Sequence, residues 1–177
     1  MKAFAIAVSL LLGATLCHAR PLSTDEVLAL PITEVEANLP DSHPAVLYAY
    51  AKRLFAQEQR RNEAVMWFYA GQMRFRFLLA AQPARPPDRE AGIMASLNST
   101  IGQTLNEWAG GSPQDWAASI DQALAWDAAH GNAVTSQQTH EKAWQETRSG
   151  LAGLRDSILA NAQDIRKQRA QRGLENR

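Results

Sequence analysis

Residues 63–77, EAVMWFYAGQMRFRF, form the stretch that decides the fold of this chain. On a helical wheel at about 100° per residue, its apolar side chains and those of the adjacent Leu78 fall on two faces. The first face carries Ala64, Trp67, Phe68, Gly71, Phe75 and Leu78, and the second carries Met66, Ala70, Met73 and Phe77. A helix that is apolar on two faces is usually packed between neighbouring helices. We therefore expect 63–77 to be the central core helix of an all-α protein, in preference to an aromatic binding groove.

The remaining side of this helix is narrower and more polar. It carries Val65, Tyr69, Gln72 and Arg76, three to four residues apart. Tyrosine and arginine are common anchors of protein interfaces, so we predict Tyr69, Gln72 and Arg76 as partner-binding residues. Arg74 lies about 160° from Arg76 on the wheel, so the two arginines cannot form one clamp. Replacing Arg76 with alanine should weaken partner binding and leave thermal stability nearly unchanged.

Proline, glycine and capping residues divide the rest of the chain into helices. The pattern predicts about five main helices, at 44–57, 62–81, 88–108, 113–130 and 136–172. The link 58–61 is so short that the first two helices must be antiparallel neighbours. Ser112 followed by Pro113 indicates a helix start. A bend in the last helix is expected at Gly150 or Gly153. No convincing strand pattern is present, which favours a single-domain helical bundle with partly repeat-like hairpins.

The N-terminus is typical of a secretory signal peptide over 1–19. Lys2 supplies the positive start, 3–12 the apolar stretch, and Ala19 the small residue before cleavage. The apolar stretch is too short for a membrane anchor. A lipoprotein with Cys17 at its new N-terminus is the alternative, but a leucine stands where such signals usually have a small residue. We therefore expect export to the periplasm.

The mature chain has the size of one domain and a net charge close to zero. It divides into an arm with short helical turns, an α-helical domain and a tail, at 20–40, 41–172 and 173–177. Without Lys2, seventeen basic residues face eighteen acidic ones, a net charge of −1. No global basic field attracts nucleic acid or anionic lipid, and no second apolar run favours stable membrane insertion. If cleavage removes Cys17, the fold depends on its core and not on disulfides.

Residue patterns for catalysis and cofactor binding are missing from the mature sequence. It has no G-x-S-x-G elbow, no phosphate-binding loop and no dinucleotide glycine pattern. His140-Glu141 begins like a zinc-protease motif, but Trp144 stands where the second histidine belongs. Asp127 and His130 are a local pair three residues apart, which is too few ligands for a metal site. We therefore predict no catalytic residue, no metal and no cofactor.

Charged side chains elsewhere leave two alternatives open. Carboxylates from different helices can converge in a pocket, as in sugar-cleaving enzymes. The acids closest to aromatic neighbours are Glu63, Glu107, Asp121 and Asp127. The C-terminal stretch 164–177 carries five basic residues against two acidic ones. We interpret this charge as the solvated end of a helix in preference to a binding site for an anionic partner.

The helix pair 47–72 resembles one repeat of the Sel1 or tetratricopeptide type. The resemblance is carried by Leu54-Phe55, by Glu63-Ala64-x-x-Trp67-Phe68 and by Ala70-Gly71. It covers about a sixth of the chain and departs from the family at 57–59, where a glycine usually makes the turn. Such families stack helical hairpins and bind other proteins, so the resemblance implies a protein-binding role.

The Ala-x-x-Trp-x-x-Ala pattern of 64–70 recurs at 123–129.

We expect a periplasmic protein that works by binding another protein. A specific case is an immunity protein that inhibits a toxin acting in the envelope, since such an inhibitor needs a rigid scaffold with aromatic and arginine anchors. The alternative is an envelope hydrolase that acts on cell-wall material through carboxylates from different helices. A small-ligand carrier would require an enclosed apolar cavity among the tryptophans, which helical bundles usually fill.

Overall fold

The computed structural model describes residues 20–82 and 87–177, which form helices and connecting turns without a strand. The all-α class expected from the sequence is confirmed. The predicted signal peptide, with Cys17, and the loop prolines Pro83 and Pro86 lie outside the described residues. No helix in these two ranges is both long enough and apolar enough to cross a membrane.

Nine α-helices follow one another along the described residues. They are α1 Glu26–Ala29, α2 Ile32–Asn38, α3 Pro44–Phe55, α4 Arg61–Ala81, α5 Pro87–Leu97, α6 Gln103–Ala109, α7 Pro113–Ala129, α8 Glu141–Ala160 and α9 Ala162–Gln171. Shorter helical turns join some of them: 3-10 helices at Leu39–Asp41 and Glu58–Arg60, and a π-helix at Asn98–Gly102.

Helix α4 is the centre of the protein, as its two apolar faces predict. Every residue from Ala64 to Phe75 is buried, and the helix packs against α3, α7 and α8. Full burial of a side chain such as Phe68 contributes about 1.5–3 kcal/mol. Trp67 lies edge-on to Trp126 of α7, with ring centroids 4.9 Å apart. The two tryptophans of the repeated Ala-x-x-Trp-x-x-Ala pattern therefore pack together where α4 and α7 meet.

The arm at the N-terminus lies against α3. Val27 and Leu39 are completely buried, so the arm contributes to the core. The guanidinium of Arg53 on α3 donates to the backbone carbonyls of Val27 and Leu30. The short helical turns expected in the arm are observed as α1, α2 and the 3-10 turn that follows.

The predicted third helix, 88–108, is three consecutive helical segments. Helix α5 passes through the π-turn Asn98–Gly102 into α6. Thr100 Oγ1 donates to the carbonyl oxygen of Ser96 at 2.8 Å. Such a bond competes with the helical pattern and bends helices. The Asn-Ser-Thr run at 98–100 is therefore the place where the helix changes its winding.

Two glycines allow aromatic rings to approach the backbone closely. A Cβ on Gly102, in the π-turn, would lie 2.7 Å from Cζ of Phe68. A Cβ on Gly71 of α4 would lie 2.9 Å from Cδ2 of Tyr48. Both rings are fully buried and have little freedom to move. Glycine at these positions therefore sets how closely α4 packs against α3 and the π-turn.

The helix start predicted at Ser112 is confirmed, since its side chain accepts from the amide of Asp115 at 3.4 Å. The last long helix begins later than predicted, at Glu141 instead of 136. The segment before it is held in turns, because Asn132 Oδ1 accepts from the backbone amides of Val134 and Thr135.

The last helix is also interrupted at a different place from the one predicted. Helix α8 continues through Gly150 and Gly153, where added Cβ atoms would meet nothing within 4 Å. The break between α8 and α9 lies at Asn161, whose Nδ2 donates to the carbonyl oxygen of Ser157 at 2.7 Å. Asparagine competes for helical carbonyls in this way, whereas a glycine only permits a bend.

Candidate functional site

A buried ion pair joins the central helix to α7. The side chains of Arg74 and Asp127 are 1% and 2% exposed, and Arg74 Nε donates to Asp127 Oδ1 at 3.0 Å. The guanidinium lies 4.3 Å from the centre of the Trp126 ring. Its other nitrogens donate to the carbonyls of Pro40 and Gly131 at 3.0 and 2.9 Å. Burial lowers the pKa of Arg74, and the nearby Asp127 carboxylate opposes this shift.

The second oxygen of Asp127 binds α8. Asp127 Oδ2 accepts from Trp144 Nε1 at 2.7 Å and from Arg148 Nη1 at 3.2 Å. Helices α4, α7 and α8 therefore meet at one carboxylate that is buried and fully engaged. This carboxylate stabilises the fold, because removing one partner of a buried charge strongly destabilises the folded protein.

The local pair Asp127 and His130 is not arranged as a metal site. The Asp127 carboxylate is engaged by side chains of α4 and α8, while His130 is exposed and its Nδ1 contacts the carbonyl oxygen of Trp126 at 2.7 Å. Across residues 20–82 and 87–177, no three His, Cys, Asp or Glu side chains come close enough to hold a metal ion.

Two of the three predicted partner-binding residues lie inside the protein. Tyr69 is 2% exposed; its hydroxyl donates to Asn106 Oδ1 at 2.9 Å and accepts from Trp116 Nε1 at 2.8 Å. Gln72 is 9% exposed and donates to Asn98 Oδ1 at 3.0 Å. Both side chains therefore bind the segments from α5 to α7 that cover this side of α4.

Arg76 is the exposed member of the predicted strip. Burial raises the pKa of Tyr69 to about 12, and the hydrogen bond from Trp116 and the charge of Arg76 oppose this shift. Arg76 is therefore close enough to act on Tyr69 electrostatically while its own side chain faces solvent. The structure brings the three residues to one side of α4 but leaves a single one at the surface.

A larger surface feature lies between α6 and the C-terminal end of α9. It consists of three adjoining hollows of about 350, 400 and 520 Å³, all of which share Arg169 in their walls. We call this feature the basic aromatic groove. Its principal lining residues are Phe55, Arg61, Trp108, Trp116, Arg169 and Arg177. The groove is open to solvent, so it can accept part of another molecule.

The C-terminal segment builds one wall of the groove. The guanidinium of Arg177 lies 3.5 Å from the centre of the Trp108 ring. The backbone amide of Arg177 donates to the carbonyl of Gly111 at 2.7 Å. Arg169 Nη2 donates to the carbonyl of Glu175 at 2.7 Å. A Cβ on Gly111 would lie 3.1 Å from Nε of Arg177, so glycine leaves room for this arginine.

Sequence reasoning did not find this groove. The charge pattern of 164–177 favoured a solvated helix end, and Trp108 had no assigned role. In the structure Arg177 and Arg169 instead contact the end of α6 through the carbonyls of Trp108 and Glu107. The available signal is the Gly110-Gly111 pair, which directly follows α6 and makes space for the two arginines.

Three of the four acids considered for catalysis lie in separate ion pairs with arginine. These pairs are Glu63 with Arg60, Asp121 with Arg155, and Asp127 with Arg74 and Arg148. The fourth acid, Glu107, is exposed and borders the basic aromatic groove. The ion pairs hold helices and turns together.

Comparison with known proteins found no matching family model, no similar curated protein and no similar solved structure. A proposal for its function therefore rests on the chemistry of the chain itself.

Proposed function

We propose that this chain is a protein-binding protein of the bacterial envelope, and that the basic aromatic groove is its binding surface. The observation that carries the proposal is the combination of tryptophan and arginine side chains in an open groove. These two residue types, with tyrosine, dominate the binding energy of protein interfaces. Trp108 and Trp116 supply apolar area, while Arg61, Arg169 and Arg177 supply directional donors.

The rigidity of the scaffold supports the same function. Gly71, Gly102 and the buried pair Arg74–Asp127 fix how α4 packs with α3, the π-turn and α7, and these elements carry or adjoin the groove residues Phe55, Trp108 and Trp116. A preorganised surface loses less entropy on binding. The specific case that we propose is an immunity protein that inhibits a toxin in the periplasm. The signal peptide expected at 1–19 exports the protein to that compartment. The resemblance of 47–72 to Sel1-type repeats also supports a binding role.

The hydrolase alternative has less support. It needs two acids that face each other across a cleft, one of them free to donate a proton. Glu63, Asp121 and Asp127 are each bonded to an arginine, so these three carboxylates are already engaged within the fold. This arrangement supports binding over hydrolysis.

Affinity capture from an envelope extract tests the proposal. Thr104 is exposed and lines the 400 Å³ hollow, so Thr104→Trp should fill the groove without removing a contact of the fold. Gln122→Trp on the exposed face of α7 is the matched control. We expect mass spectrometry to identify a protein retained by the wild type and by Gln122→Trp, and lost with Thr104→Trp.

Two outcomes would contradict the proposal. Retention of no protein, together with hydrolysis of cell-wall material by the purified chain, would replace binding with the hydrolase alternative. Retention by Thr104→Trp and loss with Arg76→Ala would move the binding surface to the strip predicted from the sequence.

A further inference from the structure

Three arginines of the basic aromatic groove converge on one hollow. Arg61 begins α4, Arg169 lies near the end of α9, and Arg177 belongs to the C-terminal tail. All three line the hollow of about 520 Å³. Side chains from such distant parts of the chain meet there because the tail folds back over α6.

Within the described residues, these arginines form no salt bridge with an acidic side chain. Among the salt bridges of residues 20–82 and 87–177, none includes Arg61, Arg169 or Arg177. Their donors instead reach backbone carbonyls, including those of Phe55, Glu107 and Trp108. In this described part of the chain, Arg169 Nε is buried without a hydrogen-bond partner.

The guanidinium groups are held in position before any ligand arrives. Arg177 stacks on Trp108, and Arg61 lies 5.2 Å from the centre of the Phe55 ring. Burial lowers the pKa of Arg177, and the like charges of Arg169 and Arg61 lower it further, against the opposing charge of Asp115. Such mutual repulsion is relieved when an anion binds between the three groups.

We propose that Arg61, Arg169 and Arg177 form a carboxylate-binding site, which receives an acidic side chain of the partner protein. This inference rests on the proposed protein-binding function and names the chemistry that the partner presents. Guanidinium groups bind carboxylates through paired N–H donors. In the hydrogen bonds of the described residues, Arg61 uses only Nε and Arg177 only Nη2, which leaves two nitrogens of each for a ligand.

The surroundings favour a carboxylate over a phosphate group. Glu58 and Glu175 line the same hollow, and Glu107 lines the adjoining one. These charges reduce the positive potential and disfavour an anion that carries two charges on one group, whereas a glutamate peptide places a single carboxylate in the hollow. A singly charged carboxylate next to Trp108 and Phe55 still gains short hydrogen bonds and apolar contact with the rings.

A peptide titration of the full mature protein tests the site. The probes are a blocked hexaglutamate peptide, a blocked hexaglutamine peptide and inorganic phosphate, followed through tryptophan fluorescence and the NMR signals of the arginine Nε–H groups. We expect hexaglutamate to bind, hexaglutamine not to bind, and phosphate to bind more weakly than hexaglutamate. Arg61→Gln should weaken hexaglutamate binding about tenfold, the effect of losing one charge-assisted hydrogen bond.

Lys167→Gln is the control, because it removes the same charge from an exposed position of α9. Equal losses of hexaglutamate affinity with Lys167→Gln and Arg61→Gln would overturn the proposed site, because binding would then depend only on the total positive charge of this region. Equal binding of the two peptides, or tighter binding of phosphate, would also overturn it.

The capture assay separates this inference from the proposed function. If Arg61→Gln retains the captured protein as strongly as the wild type, the carboxylate site is wrong and the binding function stands. If the wild type captures nothing while hexaglutamate binding requires Arg61, the binding function is wrong and the carboxylate site stands.

Discussion

Replacing Arg74 with methionine should remove a large part of the stability of this protein. The substitution keeps an unbranched side chain of similar length but removes the guanidinium. It deletes the 3.0 Å bond to Asp127 Oδ1, the bonds to the carbonyls of Pro40 and Gly131, and the contact over Trp126. Asp127 then keeps a buried charge with one oxygen that has lost its partner.

The size of the loss follows from burial. Removing one partner from a buried ion pair costs about 3–5 kcal/mol. Trp144 and Arg148 still satisfy Asp127 Oδ2, which keeps the loss within this range. The net stability of a domain is about 5–15 kcal/mol, so the variant should unfold at a much lower urea concentration.

Urea unfolding followed by circular dichroism measures this loss. Arg76→Met is the matched control, because it makes the same chemical change two residues away at an exposed position of α4. Its free energy of unfolding should stay within about 0.5 kcal/mol of the wild type. A loss below about 1 kcal/mol for Arg74→Met, the size expected for a surface ion pair, would refute the role of the buried pair.

Three further predictions concern packing and titration. Gly102→Ala should destabilise the protein by about 1–3 kcal/mol, because its Cβ would overlap the buried ring of Phe68. Gly92→Ala, where a Cβ meets nothing within 4 Å, should stabilise it by about 0.5–1 kcal/mol in the same urea assay, and a reversed order would contradict the packing described. Burial raises the pKa of every tyrosine in the chain above its ordinary value of 10. In a titration followed by absorbance, the phenolate signal should therefore be absent at pH 10 and appear toward pH 12, as the stability of the folded protein falls. Full ionisation of the tyrosines near pH 10 in the folded protein would contradict this. These tyrosines are Tyr48, Tyr50 and Tyr69. The hydrogen bond from Arg20, with further bonds from Ser23, lowers the pKa of Glu26 to about 2, so it stabilises the arm above pH 4.5 and this contribution is lost as the pH falls toward 2. Glu26→Gln should flatten the pH dependence of thermal unfolding in that window, and an unchanged profile would argue against the contact.

Local patterns predicted the helices well where one residue type decides the boundary. Ser112 with Pro113 starts α7, and the two apolar faces of 63–77 indicate a helix buried on several sides. Asn161, by contrast, ends α8 through a side-chain bond that a sequence pattern does not reveal. Glycine positions suggested a bend elsewhere because a glycine shows only where bending is permitted.

The site was less predictable because its residues are distant in the chain. The partner of Arg74 is 53 positions away, so no local spacing indicates that this arginine is buried. Tyr69 and Gln72 were placed on the correct polar side of α4, but the asparagines that cover them come from the π-turn and α6. The basic aromatic groove exists only because the C-terminal tail folds back onto Trp108.

Photo-crosslinking from the groove tests the central claim most directly. A benzoylphenylalanine in place of Thr104, at the edge of the basic aromatic groove, is compared with the same group in place of the exposed Gln122. Irradiation of intact cells that export the protein should yield a covalent adduct with one partner protein from position 104 and none from position 122. No adduct from position 104, or the same adducts from both positions, would contradict binding through the groove.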